Sequence, residues 1–530
     1  TAANESLATL SQDLVPGSHG NAVEQVHAYL TRYGYFPNSD LAQRYPTWSP
    51  IVAQPPASAS VYDAQTTAAV TAFQAAFSLP QTGMVDQATR AAMLTPRYDS
   101  IPEGLARFDP ADKFDDTNSF VTAPFNWSFG GGSAPGLTSA QTESAAVAAL
   151  AEWQNVTSFT ASKVPSGGII TVGIGSCANA ADESNQPVCT FTLMGQVFPR
   201  GTITINSTAA SFTTTSLQAA LRHAFGHALG LFHSAFPAAA MFPTFNTADP
   251  PLNIDDKISI GILYDKWQQL PNGGTDIAVG AEGSVWIVGG GAQNVFKFNG
   301  TTWVQDASLK TAKAITVDSD GVPWIVGTDN HPYEYSGTNP ATGTWQDRIG
   351  SGSVSIPCAS DIGAGADGSV WAISCLGSTD HPIYKHTRNI LMNDVWTQTT
   401  SNGAGIRIAV SPTGNPWVTN TAGQISRLST NDPTTGTWGL LPGLAKDIGI
   451  APVAANNNNY AWSIGTSPVG PSDFGIFAWD EQPGDAGSPP IRQINGVWLN
   501  TAGGATRISV DASGKPWIIN SAGSIFKRVK

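Results

Sequence analysis

The chain has 530 residues, 41% of them hydrophobic and 12% charged, enough apolar material for folded cores and too much length for one, so three or four domains are expected. The net charge is −13 and Lys and Arg form no cluster, which argues against a nucleic-acid partner or an anionic membrane surface. No apolar run is long enough to span a bilayer. Residues 1–95 read as a small all-α domain. Leu14-Val-Pro-Gly17-Ser-His-Gly20 opens it, and residues 22–30 follow with helical apolar spacing. After a Pro/Ser/Ala-rich insertion at 37–60, a second helix covers 64–77 with Ala69, Val70 and Phe73 on one face. Thr82-Gly83 is a turn, and Asp86 is placed to cap a third helix running to Met93. Residues 96–106 form a linker.

From 107 to 265 the pattern is mixed α+β. Phe125–Phe129, 169–174 and 201–205 are strands; 139–154 is an amphipathic helix with Ala146, Ala149, Leu150 and Trp153 inward, and another helix begins near Ser216. From 266 to 530 the chain repeats. A unit I-x-V-x-x-x-G-x-x-W-x-[IV] recurs around Trp286, Trp324, Trp371, Trp417, Trp462 and Trp517, 38 to 55 residues apart. Turns such as Glu282-Gly283, Asp320-Gly321 and Asp367-Gly368 are hairpin chemistry. Six copies of a four-strand unit predict an all-β six-bladed propeller. The last copy lacks an outer Trp strand, and residues 266–270, just before the first copy, can supply it. The fold class is thus multidomain.

Three of the chain's eight histidines fall in His223-Ala-Phe-Gly-His227-Ala-Leu-Gly230-Leu-Phe-His233. Residues i and i+4 share a helix face, so His223 and His227 can reach one metal ion. Gly230 can end the helix in a left-handed conformation and swing His233 round as a third ligand. Three protein ligands leave one tetrahedral position open, as in a catalytic rather than a structural zinc site. Helical core histidines have no reason to adopt this spacing.

Ser234-Ala-Phe-Pro237-Ala-Ala-Ala-Met241-Phe-Pro243 follows the histidines, and Leu252-Asn-Ile-Asp255-Asp256-Lys-Ile-Ser-Ile-Gly261-Ile-Leu-Tyr264 closes the segment. With Ala151-Glu-Trp153-Gln-Asn-Val-Thr-Ser-Phe159, these stretches resemble the matrixin zinc endopeptidases, members of the metzincins. The resemblance implies a catalytic zinc on His223, His227 and His233, a methionine turn at Met241 under the site, structural roles for Asp255 and Asp256, and a protein or peptide substrate. The first 95 residues resemble the peptidoglycan-binding-like module, which forms the pro-domain of many matrixins. The repeats resemble tectonin propellers, which implies glycan or lipopolysaccharide as a ligand.

The chain departs from the matrixin pattern at two places. Ala224 stands where the family has the glutamate that takes the proton from the attacking water and returns one to the leaving amine. A deliberate Glu-to-Ala exchange accounts for an otherwise intact motif; a natural pseudoenzyme is the other explanation. In the latency segment Pro96-Arg97-Tyr98-Asp99, Tyr98 occupies the position of the family's switch cysteine, which excludes a cysteine switch. Asp99 is the leading candidate to ligate the metal in its place, with Tyr98 second; alternatively Asp99 pairs with Arg97 in an exposed linker. A second, structural zinc is not expected, because residues 175–201 hold no histidine. Asp182 and Glu183 could take calcium there, but a solvated loop closed by Cys177–Cys189 is the simpler account.

The four cysteines form two local pairs, Cys177 with Cys189 and Cys358 with Cys375, which suit two disulfides and an oxidising compartment. The chain begins at Thr1 with neither an initiator methionine nor a signal peptide, so a processed or recombinant form of a secreted protein is expected. His331, His381 and His386 lack ligand spacing and are read as surface residues. The overall reading is a secreted zinc metalloendopeptidase zymogen, inactivated at Ala224, with the propeller as a targeting module. The alternative is a catalytically dead lectin-like or cell-surface-binding protein with a vestigial zinc site.

Overall fold

The computed structural model describes residues 6–45, 48–99, 101–105, 125–177, 186–192, 201–234, 236–245, 251–377, 379–400, 403–452, 460–485 and 494–530. The chain divides into two compact units, residues 1–265 with Lys530, and Lys266–Val529. Asp182 and Glu183, the calcium candidates, lie outside the described residues.

The first unit begins with helices α1 (Asn21–Arg32), α2 (Ser39–Arg44), α3 (Ala64–Ala76) and α4 (Gln87–Leu94). Their starts follow from local chemistry. Asp63 caps α3 in a reciprocal box with Thr66, and Asp86 caps α4 by accepting from the Thr89 amide. Val23, Val26 and Leu30 of α1 meet Val70 and Phe73 of α3 in one apolar core. The short α2 lies inside the insertion, where its polar composition gave no periodic signal; Asn38 caps it.

Next come β1 (Phe125–Phe129), α5 (Ser139–Val156), β2 (Ala161–Val164), β3 (Ile170–Gly175), β4 (Val188–Thr192), β5 (Gly201–Asn206), α6 (Thr214–Ala228) and α7 (Ile254–Tyr264). The sheet order is β2-β1-β3-β5-β4, with all pairings parallel except β4 on β5. Helix α5 packs along α6, and the Trp153 indole donates to the Arg222 carbonyl at 3.0 Å. Beside it, Arg222 pairs with Glu152 at 2.7 Å. Cys177 is bonded to Cys189 on β4.

The second unit is a ring of six four-stranded antiparallel blades. Two long strands, Lys266–Val279 and Trp438–Ile450, each serve two neighbouring blades. The ring closes where Ser524–Val529 pairs with the chain's return at 266–273, Arg528 opposite Trp267 and Phe526 opposite Gln269. The blade tryptophans are structural. Those of the second strands, such as Trp286, Trp371 and Trp417, are fully buried. Those of the outer strands donate across blade boundaries: Trp303 to Pro271, Trp396 to Arg348, Trp498 to Pro442 and Trp267 to Ala502, at 2.7–2.9 Å. Cys358 is bonded to Cys375. One reading needs correction: His386 is buried, not a surface residue. Its ring lies between Trp324 of the preceding blade and Trp396 of its own, and Nε2 bonds Asp394 at 2.8 Å.

Candidate metal centre

Helix α6 is started by Thr213, whose hydroxyl accepts the Ser216 amide at 3.0 Å. Fourteen residues of regular helix then set His223 and His227 one turn apart, both buried. Each ring is oriented by its far nitrogen: Nδ1 of His223 lies 2.7 Å from the Ala240 carbonyl and Nδ1 of His227 lies 2.8 Å from the Leu231 carbonyl. A carbonyl can only accept, so both Nδ1 atoms carry the proton and both Nε2 lone pairs point inward. Gly230 has φ 98°, which ends the helix, and the Leu231 amide returns to the Gly226 carbonyl at 3.0 Å. His233 is thereby carried back toward the same point.

Met241 lies beneath, 1% exposed, and Gly226 makes room for it; a Cβ at 226 would sit 2.2 Å from the methionine sulfur. The turn that holds Met241 is anchored by Asp256 near the start of α7, whose carboxylate accepts the Ala240 and Met241 amides at 2.8 and 3.1 Å. Asp255 is buried beside it. Ala224 is fully buried in the same turn of α6 as His223 and offers no titratable group.

A fourth donor comes from the segment after α4. Asp99 is 2% exposed and places Oδ2 at 2.9 Å from His227 Nε2 and 3.3 Å from His223 Nε2, with Oδ1 at 3.4 Å from His233 Nε2. The pairing of Asp99 with Arg97 in an exposed linker, one alternative, is therefore overturned; Arg97 is itself buried and pairs with Glu103 at 2.9 Å. Burial works against the Asp99 carboxylate, but the three imidazoles that face it hold it well below the usual range. Burial pushes His223 down to about 4, which keeps its Nε2 unprotonated.

The four donor atoms of Asp99, His223, His227 and His233 lie within 4.8 Å of one another. Two Nε2 lone pairs face each other at 2.9 Å, and the buried Asp99 Oδ2 and His233 Nε2 make no hydrogen bond. So much inward electron density without an intervening donor is satisfied by a cation, and three imidazoles with one carboxylate are a zinc donor set.

Tyr98 is not among these donors. Its ring stacks on His223 at 4.1 Å with an interplanar angle of 13° and meets Phe245 edge-on at 5.2 Å. The segment is docked by its backbone: Tyr98 donates to the Pro243 carbonyl and Phe245 to the Pro96 carbonyl, each at 2.9 Å, with Arg97 bridging Thr244 in antiparallel register. Two contributors escaped sequence reasoning. Glu103 Oε1 lies 3.4 Å from His233 Nδ1, a carboxylate behind a histidine donor. Burial opposes its ionisation, but Arg97 and then His233 hold it down at about 2. Trp48, from the insertion, donates to the Glu103 carbonyl at 2.7 Å and joins Leu41, Ile101, Leu105 and Phe232 in an apolar cluster. No motif spacing links these residues to the histidines.

A mostly parallel sheet backed by two helices, one carrying a two-histidine turn with the third histidine beyond a glycine, defines a metalloprotease-type domain. Comparison with family models makes this specific: residues 121–265 match the matrixin model, residues 19–93 the peptidoglycan binding domain and residues 252–466 the tectonin domain. The order is that read from the sequence, and the matrixin match implies zinc. A search of curated proteins finds no significant match to the chain.

Proposed function

We propose that the chain is the zymogen form of a secreted zinc metalloendopeptidase, silenced twice: by Asp99 at the metal and by the missing carboxylate at 224. The observation that supports this reading best is the convergence of His223, His227, His233 and Asp99 on one point, with Asp99 arriving from the segment that follows a peptidoglycan-binding-like module. Zinc held there would polarise a substrate carbonyl and lower the pKa of water. The chain's own residues do the rest. Ala240 and Leu231 carbonyls fix the tautomers of His223 and His227, Glu103 steadies His233, and the Met241 turn floors the site. The amide and carbonyl groups of 243–245 dock an extended peptide as they now dock 96–98. With alanine at 224 no side chain accepts a proton from water or returns one to the leaving amine, a loss of about 10²–10⁴ in rate. The intact ligand set favours an exchanged glutamate over a decayed site. The propeller serves as the targeting module, with a glycan or lipopolysaccharide as its ligand.

The test uses the full chain. As it stands it should bind one zinc ion and cleave nothing. Ala224→Glu alone should remain latent, and Ala224→Glu with Asp99→Ala should cleave casein in a chelator-sensitive manner. Zinc binding without cleavage by that double variant would favour instead a dead, lectin-like binder with a vestigial site.

A further inference from the structure

The hairpin that joins the outer strands His381–Arg388 and Asp394–Gln398 of the third blade ends in Ile390-Leu391-Met392, which are 99%, 74% and 69% exposed. Among the described residues every other exposed large apolar side chain stands alone in the sequence. Single ones are ordinary, whereas three in a row have no place on a surface that makes no contact. The blade itself does not need them. The corresponding hairpins of the first, second and fourth blades, Asn299-Gly300-Thr301-Thr302, 336–344 and 429–437, carry no large apolar residue at the turn. We propose that this tip is a lipid anchor, which enters the boundary between headgroups and acyl chains of an uncharged phospholipid bilayer and holds the propeller there. The proposal stands independently of the peptidase reading.

The turn is built to leave water. The Asn389 amide donates to the Asn393 carbonyl at 3.0 Å, and the Met392 amide returns to the Asn389 carbonyl at 2.8 Å. The Asn389 carboxamide oxygen accepts the Leu391 and Asn393 amides at 2.9 and 3.0 Å. The donors of 391, 392 and 393 are thus satisfied inside the turn, so withdrawing the tip from water leaves none of them unpaired. Met392 has φ 61°, in the left-handed region that glycine and asparagine enter readily and methionine rarely. A turn that only faced water would carry the easier residue at this place.

Size and charge select the occupant. A stable protein interface takes about 20–30 residues a side, and here the apolar surface stops after three, at Asn389 and Asn393. A fluid hydrocarbon layer needs no matching pocket and accepts a convex tip. The charges beside the tip cancel one another. Arg388 pairs with Glu334 and lies 3.6 Å from Asp394, while Arg348 reaches the same two carboxylates at 2.7 and 3.5 Å. This group leaves no cation over for an anionic headgroup, and the chain's net charge of −13 opposes one. The surface is therefore a zwitterionic one, and the partition constant is at most on the order of that of a single myristoyl chain, about 10⁴ M⁻¹.

Cosedimentation of the full chain with phosphatidylcholine vesicles tests the anchor. The chain should partition to the same extent in low and in high salt. Leu391→Ser should weaken partition about 10-fold, the change expected when one such side chain is no longer buried, and Ile390→Ser with Leu391→Ser should abolish it. Met392→Asn should weaken it too, yet leave the thermal midpoint unchanged or higher, because asparagine suits the left-handed position. That split separates a lipid contact from a structural part in the blade. The four cysteines are paired, so Leu391→Cys carrying an environment-sensitive fluorophore reports the tip alone, and its emission should shift to the blue with vesicles. Absence of partition, partition that requires phosphatidylserine and disappears in high salt, or partition untouched by Leu391→Ser overturns the anchor. A fluorophore that stays in water while the chain sediments overturns it as well. So does self-association of the unsubstituted chain, seen by sedimentation velocity without vesicles and removed by Leu391→Ser, since the tip would then dock on a second copy.

Discussion

Gly226 shows how one missing methyl group shapes the centre. It sits between Phe225 and His227 in α6, where alanine would ordinarily be the better helix former by about 1 kcal/mol. Here a Cβ would lie 2.2 Å from Met241 Sδ and 3.0 Å from Trp153 Cζ2, and both side chains are buried with nowhere to retreat. Overpacking of this kind costs about 1–3 kcal/mol, which exceeds the propensity gain. Gly226→Ala should therefore lower stability by up to about 2 kcal/mol net in denaturant unfolding of the first unit and weaken zinc binding through the displaced methionine turn. Pairing it with Met241→Ala should cost less than the two changes added together, because the second removes the atom the first collides with. Strict additivity would show that the contact with Met241 is not the cause.

At the scale of elements, α7 does for the site what its sequence position does not advertise. Its capping residue Asn253 accepts the Asp255 amide, while the Asp256 carboxylate takes the Asn253 amide at 2.8 Å together with the Ala240 and Met241 amides. One buried carboxylate thus joins the start of a helix to the turn under the histidines. Asp256→Asn presents an amide nitrogen to donors and leaves at least one amide unpaired, a loss of about 1–3 kcal/mol, with zinc affinity falling alongside. Calorimetry of the zinc-loaded and zinc-stripped forms checks it, and an unchanged midpoint in both would remove the anchoring role. Elements such as these mark what the sequence made legible. The cap Asp86, the helix end at Gly230, the helix faces and the i, i+4 histidines depend on neighbours within one or two turns, so local pattern sufficed. Glu103, Trp48 and Phe245 reach the centre only because the insertion and the 243–245 segment fold onto residues 96–105, and nothing in their own spacing records that approach. His386 was misread for the same reason, since the Trp324 ring that covers it belongs to another blade.

Around the propeller the residue just before the isoleucine of each blade's first strand is charged in five blades, Asp276, Asp361, Arg407, Asp447 and Arg507; in the second blade Ala314 holds that place and Lys313 lies one residue earlier, at a bulge. The three aspartates staple blades together, each accepting an amide of the next first strand, Ile315, Ile408 or Ile508, at 2.9–3.0 Å. Arg407 lies 3.3 Å from Asp361, and Arg507 3.7 Å from Asp276. Lys313 turns to Asn330 instead, which leaves three acids facing two arginines. Burial pushes Asp276 up to about 7, against the pull of Arg407 and Arg507, and it raises Asp361 and Asp447 as well. A carboxyl whose folded pKa exceeds its unfolded value stabilises fully below the unfolded value and loses that contribution as pH rises through the folded one. Stability of the propeller should accordingly fall between pH 5 and pH 8. His386, lowered by burial, works the other way below about pH 6.5, but it is one group against three. Most of the sixteen tryptophans lie in this unit, so fluorescence melting reports it directly. The midpoint should drop by several degrees from pH 5.5 to pH 8, since about 1 kcal/mol corresponds to roughly 2–4 °C in a unit of this size. Asp276→Asn keeps an oxygen for the Ile315 amide and removes one charge, so it should flatten the slope and raise the midpoint at pH 8. A midpoint that climbs steadily with pH, or a slope untouched by Asp276→Asn, would show that this ring of charges carries no excess of buried negative charge.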